Sequence, residues 1–148
     1  AYGEFGYPST LPGGGTADTG TEFLWGGGAS GKMLDLTNCR MFKLDGINFN
    51  GDGDTSVTAI WVDSTNDPSG SQCEFWRFNI RDCYRGVQWG TSGIAGGSYA
   101  NDGIRFSTFT IWSNVANSIG FTVDSGNAGQ MSCIENGGIQ VQDLCRRH

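Results

Sequence analysis

Apolar positions along this chain repeat one short spaced pattern four times. Phe42-x-Leu44-x-x-Ile47-x-Phe49 is followed by Cys73-x-Phe75-x-x-Phe78-x-Ile80, by Ile104-x-Phe106-x-x-Phe109-x-Ile111 and by Ile134-x-Asn136-x-x-Ile139-x-Val141. The first two steps are 31 residues at every position and the third is 30. Inside each copy the spacing is two, three, two. Period two is the signature of a strand whose alternate side chains turn inward, and the extra residue in the middle predicts a bend between two short strands. A second ladder lies between the copies: Leu34-x-Leu36, Ile60-x-Val62, Val87-x-Trp89 and Ile119-x-Phe121-x-Val123, with Phe23-x-Trp25 as a candidate for a preceding rung.

Self-similarity at a fixed period marks a repeat architecture. Three short strands per turn, with no helical periodicity, predict an all-β solenoid: a single-stranded parallel β-helix of about four rungs, each of roughly 31 residues. Stacked strands lie about 4.8 Å apart and place like residues above like. A β-sandwich also has many short strands, but it has no need to hold one internal spacing through successive repeats.

Composition adds the turns. Glycine is abundant at 25 residues and proline scarce at 3. The glycines cluster between strand patterns, as in Gly13-Gly14-Gly15, Gly26-Gly27-Gly28, Gly96-Gly97 and Gly137-Gly138, where a coil turning sharply needs unusual φ angles. Residues 1–20 lack periodicity and read as an irregular N-terminal segment or linker, and residues 21–148 as the coil. The chain starts Ala1-Tyr2-Gly3, without an initiating Met or a signal peptide, and stops just after a strand with no capping unit. An uncapped coil exposes its interior and its strand edges, so the expectation is a piece of a longer chain. Loops at 63–72, 91–103 and 124–130 align with one another and are expected to protrude on one side, where solenoids often build a binding face.

Charge narrows the partners. The formal net charge is −6, which argues against nucleic acid and against anionic membrane surfaces. No apolar run approaches the length of a membrane span. Five cysteines, Cys39, Cys73, Cys83, Cys133 and Cys145, are widely spaced and form no CxxC, which argues against zinc and for buried reduced thiols. The single histidine is His148, so a Ser-His-Asp or Cys-His site has no base within the chain. Asn50-Gly-Asp52-Gly-Asp54 resembles the start of a calcium loop, but position twelve is Trp61, which makes a Gly/Asp turn the expectation. No metal or cofactor is expected.

The repeat also sorts the outward positions. Before the bend they read Lys43, Glu74, Arg105, Glu135, an alternation of sign that favours this register. After it they read Asn48, Asn79, Thr110, Gln140, then Asn50, Arg81, Trp112, Gln142. Amides and a guanidinium hydrogen-bond sugar hydroxyls and carboxylates, and an indole stacks on a pyranose ring. Trp112, Arg81, Asn50, Asn79 and the outward Trp61 are therefore candidate polysaccharide-binding residues, and an ordinary polar face with stacked amides is the alternative. Glycan hydrolysis would need two carboxylic acids roughly 5–9.5 Å apart. Asp82 and Asp143 are expected at matching positions two rungs apart, and Asp102 and Asp124 are loop acids that could pair with Asp82; these four are the candidate catalytic residues.

The stretches Gly31-Lys-Met-Leu-Asp-Leu-Thr-Asn-Cys39, Phe42-Lys-Leu-Asp-Gly-Ile-Asn-Phe-Asn-Gly51 and Gly120-Phe-Thr-Val-Asp-Ser-Gly126 resemble rungs of the right-handed parallel β-helix of the pectate-lyase-like superfamily, as found in phage tailspike and tail-fibre proteins. The likeness extends over residues 21–145. The calcium-binding acids and catalytic Arg of pectate lyases have no clear counterpart here. The resemblance implies a virion receptor-binding segment that recognises cell-surface or extracellular polysaccharide, in a homotrimer or larger assembly. Such a protein would fold in a host cytoplasm and work on the virion tail or outside the cell. A polysaccharide-degrading glycosidase or lyase, and a structural adhesin or spacer stem, are the alternatives that the resemblance leaves open.

Overall fold

The computed structural model describes residues 21–63, 72–90, 103–123 and 133–141, and the backbone of 143–147. Among the described residues eleven strands carry the fold: β1 Thr21–Leu24, β2 Ser30–Asp35, β3 Lys43–Asp45, β4 Ile47–Asn50, β5 Ser56–Val62, β6 Glu74–Arg81, β7 Arg85–Trp89, β8 Arg105–Trp112, β9 Ile119–Val123, β10 Cys133–Gln140 and β11 Asp143–Arg147. All pairings are parallel, and the chain alternates between two sheets. One runs β1-β4-β6-β8-β10 with β3 also on β6, and the other runs β11-β9-β7-β5-β2. The molecule is an all-β solenoid of parallel strands, as the repeat predicts. Among the described residues no helix is long and apolar enough to cross a membrane.

The predicted bend lies inside the first sheet. At each pass one residue there takes a left-handed conformation: Gly46 at φ 70°, Arg77 at 48°, Thr108 at 56° and Asn136 at 53°. Only Gly46 does so without a steric cost; a side chain there costs roughly 1–2 kcal/mol. The hydrogen-bonded strands on both sides hold these bends in place. Glycine is thus not the main source of unusual φ. Nine of the described left-handed positions are non-glycine and four are glycine, with Asn and Asp at Asn38, Asp52, Asp82, Asn117 and Asn136, the residues that tolerate this region best.

Two sequence expectations are corrected by the pairing. Phe75 pairs with Phe106, 31 residues on, but Phe106 pairs with Ile134, 28 on, rather than with Asn136 at 30. Asn136 forms the bend, and Gly137 stands opposite Phe109. A slip of two keeps every side chain on its face, so the apolar pattern alone could not reveal it. The run at Phe23-x-Trp25 joins the first sheet, with Phe23 opposite Phe49, and not the sheet of the second ladder.

The core lies between the sheets. Leu44, Ile47, Phe49, Phe75, Phe78, Phe106 and Ile111 from the first sheet meet Ile60, Val62, Val87 and Phe121 from the second. Phe75 stacks on Phe106 at 4.8 Å and Phe78 on Phe109 at 5.1 Å, while Phe121 meets Phe106 edge-on at 5.2 Å. Burying each ring contributes about 1.5–3 kcal/mol. Both ends of the coil thin out: Leu24 and Phe23 are 60% and 45% exposed, and Ile134 is 45% exposed. Cys73 and Cys83 are buried as expected, whereas Cys39 is half-buried and Cys133 is exposed. Burial pushes the Cys83 thiol up to about 12, reinforced by the charge of Asp82.

Candidate functional site

The outer surface of the first sheet is a set of register lines across the strands. Its first line, Lys43–Glu74–Arg105, pairs as expected, with Lys43 Nζ 3.5 Å from Glu74 Oε2. The fourth member is Cys133, because of the shortened last step. Glu135 stands one line further over and is still reached diagonally by Arg105, whose Nε donates to Oε1 at 2.9 Å. That contact holds the Glu135 carboxyl below its ordinary value. Arg105 and Lys43 also flank the Trp76 ring, at 4.6 and 5.8 Å from its centroid. Beside it, Arg77 grips Asp45 with two parallel bonds of 2.6 and 2.5 Å, lowering the Asp45 pKa. These contacts lock neighbouring strands together and leave little free chemistry.

Beyond the bend the line reads Asn48–Asn79–Thr110 and then Gly138, in place of the expected Gln140. Asn79 Nδ2 donates to Asn48 Oδ1 at 2.8 Å, and both amides are buried. Neither faces solvent, contrary to the reading of an exposed amide strip. That bond joins β4 to β6, while Asn48 Nδ2 is buried with no partner among the described residues.

The next line is Asn50–Arg81–Trp112–Gln140. Asn50 is buried; its Oδ1 accepts from Asp52 N at 3.0 Å. Arg81 and Trp112 are half-buried side by side. Arg81 is held by Glu22 of the edge strand β1, with Nη2 2.9 Å from Oε2 and donating to Oε1 at 3.2 Å. Glu22 is the residue that sequence reasoning missed. The alternation of Phe23-x-Trp25 was visible, but its pairing with Phe49 lies off the 31-residue period.

One residue further on, the ladder continues as a turn. Gly51 N donates to Arg81 O at 2.9 Å, Asp82 N to Trp112 O at 3.0 Å, and Gly53 N to Asp82 O at 3.1 Å. A Cβ on Gly51 would lie 2.4 Å from Asp82 O and 2.9 Å from Cys83 Cα, so glycine is required by the close approach of two backbones. Asn50-Gly-Asp52-Gly-Asp54 is a tight turn, with Asp54 N donating to Gly51 O at 3.1 Å. Burial raises the Asp82 pKa, and the nearby Asp52 charge adds to it; Asn114 N–H and the Arg81 charge oppose the rise. The turn therefore brings a carboxyl biased toward its protonated form next to a second carboxylate, at the end of the Arg81–Trp112 line.

Asp143 does not join it. Asp143 pairs with Ile119 in the second sheet, so the expected match with Asp82 fails, for the same shortened step that moves Gly137 and Gly138. Asp102 and Asp124 lie outside the described residues. Trp61 is half-buried on β5, away from this line, and one face of its ring carries the Lys32 ammonium at 3.9 Å from the centroid. The strip thus reduces to Arg81, Trp112, Asp82 and Asp52, with Glu22 and Asn50 behind the guanidinium. No family model, curated protein or solved structure matches the chain.

Proposed function

We propose that this solenoid is the glycan-facing body of a tailspike or tail-fibre protein, binding polysaccharide along the Arg81–Trp112 line. The observation that supports this reading is the register pairing of a half-buried guanidinium with a half-buried indole, adjacent on parallel strands. The indole offers an apolar face to a sugar ring and the guanidinium offers donors to its hydroxyls. The virion setting and a homotrimer rest on the resemblance of the rungs alone.

A second reading, polysaccharide cleavage, draws on one further observation: Asp82 is biased toward its protonated form by burial, the state a general acid needs. The two readings separate in one experiment. Retardation in gels containing bacterial surface polysaccharides reports binding, and the appearance of shorter oligosaccharides reports cleavage. Binding without shortening supports the recognition role. Shortening that disappears in Asp82→Asn supports the enzyme. Neither retardation nor shortening across the panel leaves a structural stem.

A further inference from the structure

We infer that Glu22 sets the ligand class of the strip, closing Arg81 to acidic sugars and leaving it a hydrogen-bond donor for neutral ones. This rests on the glycan-binding reading above. Glu22 stands on the edge strand, opposite Asn48 in the register, yet its carboxylate reaches past that partner. It accepts from Asn50 Nδ2 at 3.4 Å on the neighbouring strand and from Arg81 Nη2, at 3.2 and 2.9 Å, on the strand after it. A carboxylate seated on a guanidinium is the contact that a uronic acid would make. Glu22 already fills that place, and it does so from within the fold.

The surroundings act in the same direction. Arg81 is the one cation on the line Asn50–Arg81–Trp112–Gln140. Asp82 follows it in sequence and Asp52 lies close enough to raise the Asp82 pKa. An incoming sugar carboxylate would face these acids with the positive charge of Arg81 already neutralised by Glu22. A neutral pyranose meets no such repulsion. The Arg81 side chain is still 36% exposed, so guanidinium N–H groups that Glu22 does not take can meet a hydroxyl oxygen.

The test compares wild type, Glu22→Gln, Glu22→Asp, Glu74→Gln and the double variant Glu22→Gln/Arg81→Ala by retardation in gels of polygalacturonate, alginate and neutral polysaccharides. Thermal unfolding of each confirms the fold. Wild type is expected to run unretarded in both uronate gels. Glu22→Gln gains uronate affinity of about tenfold or more, the equivalent of removing one local charge contact. Arg81→Ala in the double variant abolishes the gain. Glu22→Asp, which keeps the charge, and Glu74→Gln, which removes one charge from a different register line, both stay unretarded. Uronate retardation of the wild type overturns this inference alone. So does an absence of gain in Glu22→Gln, or an equal gain in Glu22→Asp, which would point to loosening of β1. If no variant is retarded by any gel, acidic or neutral, the glycan reading falls and the inference with it.

Discussion

On the inside of β6 and β8, Phe75 lies on Phe106 at 4.8 Å and Phe78 on Phe109 at 5.1 Å; on the outside of the same two strands, Glu74 stands beside Arg105 and Arg81 beside Trp112. One backbone register serves both faces. Inside, each position repeats its residue type, and the stacking fixes which residue lies above which. Outside, the type changes between β6 and β8 on each line, from Glu74 to Arg105, Asn79 to Thr110 and Arg81 to Trp112, so a register line can assemble different chemistry at strand spacing. The inner ladder supplies position, and the proposed binding line lies on the outer face. The two are separable wherever an outer residue contributes little to holding the strands together.

The largest expected effect breaks the inner face. Phe106→Ala removes a fully buried ring that touches Phe75, Phe78, Trp89 and Phe121, and should cost about 3–5 kcal/mol. Urea unfolding would show a midpoint lowered by that amount with an unchanged slope, and any glycan binding should fall with it. A smaller loss comes from the seam between the faces. Gly51→Ala forces a Cβ against the Asp82 carbonyl and Cys83, an overpacking worth about 1–3 kcal/mol, and should also disturb the Arg81–Asp82 end of the strip.

Asp82→Asn should act the other way. The folded-state pKa of Asp82 is raised, so its stability contribution is present in full below the unfolded pKa and is lost as pH rises through the folded value. Removing the charge removes that loss. The variant should match wild type at pH 3 and exceed it at pH 7, by less than about 1 kcal/mol, as befits a single change at a half-buried site. Asparagine also suits the left-handed φ of 50° there. A variant less stable than wild type at pH 7 would contradict the burial argument. Least of all, Lys43→Ala loses an exposed ion pair with Glu74, and should cost about 0–1 kcal/mol, shrinking further in high salt.

The same division explains what could be read from residues alone. The solenoid, the bend and the inner ladder were legible because large apolar side chains recur at a fixed period through Leu44, Phe75 and Phe106. The last step was not, because Ile134-x-Asn136-x-x-Ile139 fits the apolar spacing in either of two registers. The choice falls to backbone conformation: Asn136 accepts the left-handed bend, and the glycine at position 137 leaves room for the Phe109 ring, which a Cβ would meet at 2.1 Å. The charge ladder was legible as far as Arg105, where residue types and period agree. On the outer face beyond the bend, the positions of Asn48, Asn79 and Asn50 were predicted but their burial was not. Polarity alone does not distinguish an amide bonded to its neighbour from one waiting for a ligand. Glu22 escaped notice because its contacts span two strands from outside the period.

If the two faces are separable, the outer strip can be changed without touching the ladder that positions it. Trp112→Ala tests this most directly, with polysaccharide affinity and thermal unfolding measured on the same samples. Affinity should fall by about tenfold or more, roughly 1.4 kcal/mol, with an unfolding midpoint close to that of wild type. Unaltered affinity in a stably folded Trp112→Ala protein would contradict it.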